Sequence, residues 1–451
     1  MQRRLIITFF FGGAAMSHIS SELIKNSLLS SIDSLLDRRD EFLYDPESSF
    51  TRTKKISFSQ TVLFPMIAGS DNVATELLDY FGEDKLPLPS AMIQRRNQIK
   101  PEAFIELFDQ FSKKIPVQNT YHGYQLIACD GTRLNLPYNP SDSDSFIQCI
   151  EGRKGINQIH MNALYDLLND MFLDVELQNI KQMNEKAAFC RFLDQDRNSK
   201  TGEKRIYIAD RGYATYNDFA HAIHNNKLFL IRVPEGFAKR ICKGRVDWLQ
   251  DACVDENVTV HIARRRNKEF YALENLHIIP RRSCYDYAAA GTNEFDRLNL
   301  RVLKFPVGDN GTPEYIVTNL PAYGFSSSTI KELYRLRWGE ETAFRHLKYA
   351  GNMVHIHSIK RAFLIQEIYA KLTLYNFSSY LSSAVSEPFE STEMYLYAIN
   401  HTQMQKIVIR FIKGIIENVE TLISRFRVPI RLGRKFKRNL RRQSADTLLY
   451  R

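Results

Sequence analysis

Twice in this chain a run of four apolar residues ends on an aspartate and passes at once into turn-forming residues. The first run is Leu126, Ile127, Ala128 and Cys129, ended by Asp130 and Gly131-Thr132; the second is Ile206, Tyr207, Ile208 and Ala209, ended by Asp210 and Arg211-Gly212. Four consecutive apolar residues without alternation describe a strand buried on both faces, the interior of a sheet covered by helices. An α/β fold is therefore expected. An acid at the end of such a strand is where an open α/β sheet exposes its chemistry. The competing reading is a plain strand-ending turn, because Asp-Gly and Asp-x-Gly form turns in any setting. Either aspartate taken alone leaves both readings open.

A third acid lies on a helical stretch, Y-R-L-R-W-G-E-E-T-A-F-R-H-L-K, residues 334–348. On one continuous helix Tyr334, Arg337, Glu341 and Lys348 fall within an arc of about 60°. Leu333, Leu336, Phe344 and Leu347 form a separate apolar stripe that can dock the helix. A carboxylate flanked by Arg and Lys can hold a divalent cation while its neighbours grip phosphates. A surface helix laced with charge pairs at i,i+4 and i,i+7 gives the same pattern.

The spacing Y-x2-R-x3-E-x6-K resembles, at every specified position, the signature of the insertion-sequence-four group of DDE transposases. The D-G-T at Asp130 and D-R-G-Y at Asp210 resemble that family's two aspartate segments. The resemblance covers residues 120–385 or so and is loose outside them. It implies a cut-and-paste transposase with Asp130, Asp210 and Glu341 as catalytic and metal-binding acids, and with Tyr334, Arg337 and Lys348 on transposon-end DNA backbone beside an extruded base. It also implies hydrolytic nicking, a hairpin intermediate, strand transfer, and a homodimer synapsing two terminal inverted repeats before engaging target DNA. Three carboxylates with no adjacent His or Cys favour hard, oxygen-preferring cations, so two Mg2+ ions with Mn2+ as a substitute. Two such ions about 4 Å apart activate the attacking hydroxyl and stabilise the leaving oxygen of an in-line displacement. The family's stacking Trp, just before the strand that precedes this helix, is missing. That neighbourhood reads P-E-Y-I-V-T-N, with Tyr315 the nearest aromatic, while Trp248 lies elsewhere and Trp338 is expected to pack.

Two rivals share parts of this pattern. A ribonuclease-H-fold nuclease that cuts without strand transfer would need the three acids but not the Tyr, Arg and Lys beside Glu341. A domesticated, non-catalytic DNA-binding protein would not need the acids at all.

The order strand, strand pair, helix, strand, helix, strand between 124 and 233 is that of a ribonuclease-H-like mixed sheet flanked by helices. The expected organisation is a helical DNA-binding region at 1–118, a first part of the core at 119–236 and a β-rich insertion at 237–320. A second part of the core carrying the Glu helix follows at 321–385, then a C-terminal helical region with a basic tail at 386–451. In the N-terminal region, Arg95-Arg96 on the middle of three short helices suggest a small DNA-binding bundle; a helical cap on the catalytic domain fits as well. Residues 1–15, with Gln2-Arg3-Arg4 before Leu5–Phe11, imitate a short signal peptide, and Met16 is the expected start in place of Met1.

Net charge is +10, but residues 425–442 carry nine basic side chains and no acid, leaving +1 for the rest. Such a tail is an electrostatic footprint for phosphate backbone, or else a solvated tail. No run of 18 or more apolar residues offers a membrane span, and the expected location is the cytoplasm. Six scattered cysteines without a C-x2-C pair read as reduced thiols. His221, His224, His355 and His357 lack partners at ligand spacing and read as structural or incidental.

Overall fold

The computed structural model describes residues 20–51, 56–148, 154–196, 203–248, 251–270, 272–289, 291–307, 311–385 and 396–430. The expected N-terminal extension and most of the basic tail lie outside these residues. Helix α1 (Ser21–Asp37) starts on Ser20, whose side chain accepts from the Leu23 amide, and buries Ile24, Leu28, Ile32 and Leu35. Helix α2 (Phe58–Ile67) opens with a reciprocal capping box between Ser57 and Gln60. Helices α3 (Val73–Phe81), α4 (Pro89–Gln98, with Pro at its first turn) and α5 (Glu102–Lys114) complete the region. Phe104, Leu107, Phe108 and Phe111 of α5 belong to the same apolar cluster as the C-terminal helices, so this region packs as a cap on the core. Arg95 and Arg96 are not presented to solvent. Arg95 is buried over the Phe50 ring, and Arg96 donates to Gln366 Oε1 and the Phe363 carbonyl.

The sheet begins with β1 (Tyr124–Leu136), β2 (Phe146–Ile147), β3 (Ile156–Asp166) and β4 (Met171–Asn179). Helix α6 (Glu185–Gln195), β5 (Lys204–Ala209), α7 (Tyr216–His224), β6 (Leu228–Arg232) and α8 (Glu235–Cys242) follow. Next come β7 (Val254–Ala263), β8 (Leu276–Ile278), β9 (Phe295–Val307) and β10 (Thr312–Thr318). Helices α9 (Ser327–Leu336), α10 (Trp338–Tyr349) and α11 (Arg361–Ala384) then precede β11 (Leu396–Ile399), α12 (His401–Ile412), α13 (Val419–Arg425) and β12 (Arg427–Ile430).

Strands β2-β3-β1-β5-β6-β10-β9-β7-β8 lie in that order in one ten-stranded mixed sheet, with β4 paired to β3. Strands β1, β5 and β6 are parallel to one another; β3 runs antiparallel beside β1, and β4 runs antiparallel to β3. This is a mixed sheet flanked by helices, as the order of elements predicts. The β-runs expected as an insertion extend this same sheet, because β10 pairs antiparallel with β6 from Ile316–Arg232 onward. Side-chain alternation divides β1 between two cores. Leu126, Ala128, Leu134 and Leu136 join the cluster containing α5, α9, α10 and α11, while Ile127 and Cys129 join the one built on α6, α7 and α8.

Candidate active site

Strand β1 does not end at Asp130. It continues six residues further, paired with β3 throughout, and Gly131-Thr132 is strand, not turn. The parallel neighbour does stop: the last β1–β5 partners are Cys129 and Ala209. Asp130 and Asp210 therefore leave the paired region at the same level on adjacent strands. Beyond it β1 runs on alone on that side, and a notch opens in the sheet beside Asp130–Arg133. At the second aspartate the sequence reading of a strand end holds, with the Asp210 carboxylate accepting from the Gly212 amide at 2.6 Å.

The stretch 334–348 is not one uninterrupted helix. Helices α9 and α10 meet at Arg337, which keeps right-handed helical angles while the bonding tightens. The Arg337 amide donates to the Tyr334 carbonyl and the Glu340 amide to the Arg337 carbonyl, both spanning three residues. Leu333, Leu336, Phe344 and Leu347 are buried, as the apolar stripe predicts. The polar stripe divides. Arg337 is buried, its Nη2 donating to Glu341 Oε1 at 2.9 Å and its Nη1 lying 3.7 Å from Asp130 Oδ2. Lys348 donates to Thr132 Oγ1 at 2.6 Å, which brings the far end of α10 against the unpaired part of β1.

Tyr334 is closed to solvent, with Arg337 and Asp210 among the charges that act on its hydroxyl. It is 4% exposed within the core cluster, its hydroxyl has no hydrogen-bond partner among the described residues, and burial pushes its pKa up to about 12. The tightened turn at Arg337 and the aromatic ring's apolar surface favour the core for this side chain. Trp338, expected to pack, is instead 55% exposed, with the Arg337 guanidinium 5.6 Å from its ring. Trp248 and Tyr315, distant in sequence, lie 5.7 Å apart ring to ring, with Tyr315 buried and Trp248 half-buried.

The electrostatics follow from burial and crowding. Burial pushes the Asp130 carboxyl up to about 6, and the charges of Asp210 and Glu185 add to that; the Gly131 amide and Arg337 pull the other way. Burial lowers the Lys348 pKa. Glu340, next to Glu341, is fully buried. Burial raises the pKa of the Tyr213 hydroxyl, and Cys129, Asp130, Glu185 and Glu340 add to it, so these groups converge at the notch. Sequence reasoning did not single out Glu185 or Glu340, which carry no motif spacing of their own. Of the four histidines named above, His221 bridges Asp194 and Asp286, and His224 meets Asp296.

The donor set suits a hard divalent ion. Asp130 and Asp210 offer only oxygen, on adjacent strands at the level where their pairing stops. Among the described residues no group of three His, Cys, Asp or Glu side chains encloses a cation, and Glu341 is drawn onto Arg337 instead. Asp130 and Asp210 would hold the ion, with Glu341 joining once released from Arg337.

None of the curated proteins compared matches this sequence. A piggyBac transposase, seen by cryo-EM in a synaptic complex with hairpin DNA, resembles the chain with a TM-score of 0.42 and 9% identity, over 94% of this chain and 76% of that one. A likeness that weak carries no argument. A family model, Transposase DDE domain, matches residues 121–377, the stretch that holds Asp130, Asp210, the junction at Arg337 and Glu341, and the chain therefore belongs to the DDE transposases.

Proposed function

We propose that this chain is a cut-and-paste transposase of the insertion-sequence-four, YREK-signature group, acting as a homodimer on terminal inverted repeats and on target DNA. The observation that carries the reading is the β1–β5 register: it sets Asp130 beside Asp210, with Arg337 tying Asp130 to Glu341 across the gap. Two Mg2+ ions, or Mn2+, bound by Asp130, Asp210 and Glu341 would supply Lewis-acid activation of water and then of a DNA 3′-hydroxyl. The protein's own part is positioning. Arg337 balances the acids before substrate arrives and exchanges a carboxylate for a backbone phosphate when DNA and cations enter, a bidentate role suited to guanidinium. Lys348 places a second cation at the same groove. Trp338, exposed one residue from Arg337, offers the aromatic face on which a base displaced during hairpin formation can stack. Tyr334 supports Arg337 from the core.

The test is Glu341→Gln, which keeps size and hydrogen bonding but removes the charge. Cleavage of the element's terminal repeats in Mg2+ is expected to be lost while DNA binding survives. A variant that still nicks those ends overturns the assignment.

A further inference from the structure

Helix α6 begins on Asn184, whose side chain accepts from the Ala187 amide, and this start sets Glu185 in its first turn. The Glu185 carboxylate lies against the strand that carries Asp130. A Cβ on Gly131 would sit 2.5 Å from Glu185 Oε1 and 2.7 Å from His160 Nε2, so glycine is what lets both side chains approach the β1 backbone. His160, on β3, is 2% exposed and meets Glu185 Oε1 at 3.2 Å and Asn162 Oδ1 at 3.1 Å. Its Nδ1 is buried with no hydrogen-bond partner among the described residues. A buried imidazole thus fixes one oxygen of a carboxylate whose side chain is still 39% exposed. Glu185 approaches from the α6 face and Glu341 from the α10 face. β5 stops at Ala209, so β1 has no partner on that side beside Asp130, and the Glu185 charge acts on the Asp130 carboxyl.

We propose that Glu185 is a fourth carboxylate of the catalytic centre, held by His160 against Gly131 and serving as a ligand for one of two divalent ions shared with Asp130. This rests on the transposase reading for the ions themselves and adds a ligand that the three-acid motif does not contain. Three carboxylates leave positions on two such ions that water and phosphate otherwise fill, and Glu185 offers one further oxygen donor from the side of the sheet opposite Glu341.

The experiment is a Mn2+ titration of the full-length protein followed by electron paramagnetic resonance, which counts bound ions without any turnover. Wild type, Glu185→Gln, Asp130→Asn and Glu235→Gln are compared. Glu235 also lies in the first turn of a helix, so its variant controls for the loss of a favourable helix-end charge. The expected result is two ions in wild type and Glu235→Gln. Glu185→Gln should lose one ion or bind it at least tenfold more weakly, with unchanged circular dichroism and DNA binding. Undiminished Mn2+ binding by Glu185→Gln overturns the proposal while leaving the three-acid reading standing. Absence of binding in wild type, or binding that Asp130→Asn leaves intact, overturns both.

Discussion

Replacing Arg337 with Met keeps most of its apolar stem and removes the cation that touches both Asp130 and Glu341. Breaking a fully buried pair from one side costs about 3–5 kcal/mol. Asp130 and Glu341 are 24% and 39% exposed at the side chain, so water screens part of that and a loss of about 1–3 kcal/mol is expected at pH 8. Its pH dependence follows from Asp130. That carboxyl already sits at about 6 in the folded protein with Arg337 pulling it down, above the ordinary value of 3.8. Without Arg337 it rises further. A raised carboxyl pKa weakens folding as pH climbs from the unfolded value through the folded one. The difference between variant and wild type is therefore full above the variant's folded pKa and closes as pH falls below about 6, where Asp130 becomes protonated in both proteins. Divalent cations should act like the missing guanidinium, so Mg2+ at 100 times its dissociation constant returns about 2.7 kcal/mol to the variant. Urea unfolding at pH 5.5 and 8.5, with and without Mg2+, reads all of this. A loss of equal size at both pH values and indifferent to Mg2+ would refute the argument that Arg337 acts by charge.

Gly131→Ala should cost about 1–3 kcal/mol through the collision with Glu185 and His160, and Glu185→Ala in the same chain should recover part of it in a double-mutant cycle. Lys348→Met keeps the buried stem and loses the bond to Thr132; stability should change by about 1 kcal/mol or less while affinity for transposon-end DNA falls, measured by fluorescence anisotropy. Because Mg2+ competes with a proton at Asp130, cleavage at fixed Mg2+ should decline as pH drops below about 6 and be restored by more Mg2+; a decline that added Mg2+ does not relieve speaks against Asp130 as a ligand. Truncation after Ile430 spares β12 and removes the dense part of the basic tail, so the salt dependence of DNA binding should flatten, by about 0.9 in log–log slope for each phosphate the tail had neutralised.

Local chemistry was legible in the sequence wherever it depended on neighbours along the chain. The buried runs before Asp130 and Asp210 form parallel neighbours, and the apolar stripe of Leu333, Leu336, Phe344 and Leu347 is buried. These features are set by side-chain periodicity, which one segment can satisfy by itself. Which strand stops and which continues was not legible. Asp130-Gly131-Thr132 reads as a turn, but ten consecutive partners on β3 hold it extended, and ladder bonds outweigh turn propensity. The exchange of places between Tyr334 and Trp338 has the same origin: a wheel assumes one regular helix, and the tightened turn at Arg337 is imposed by what α9 and α10 pack against. Arg95 and Arg96 read as a DNA-facing pair until tertiary packing lays one on Phe50 and binds the other to α11. Glu185 is the furthest case. Nothing within its own segment marks it, and only the meeting of β1, β3 and α6 at a glycine brings its carboxylate against the strand that carries Asp130.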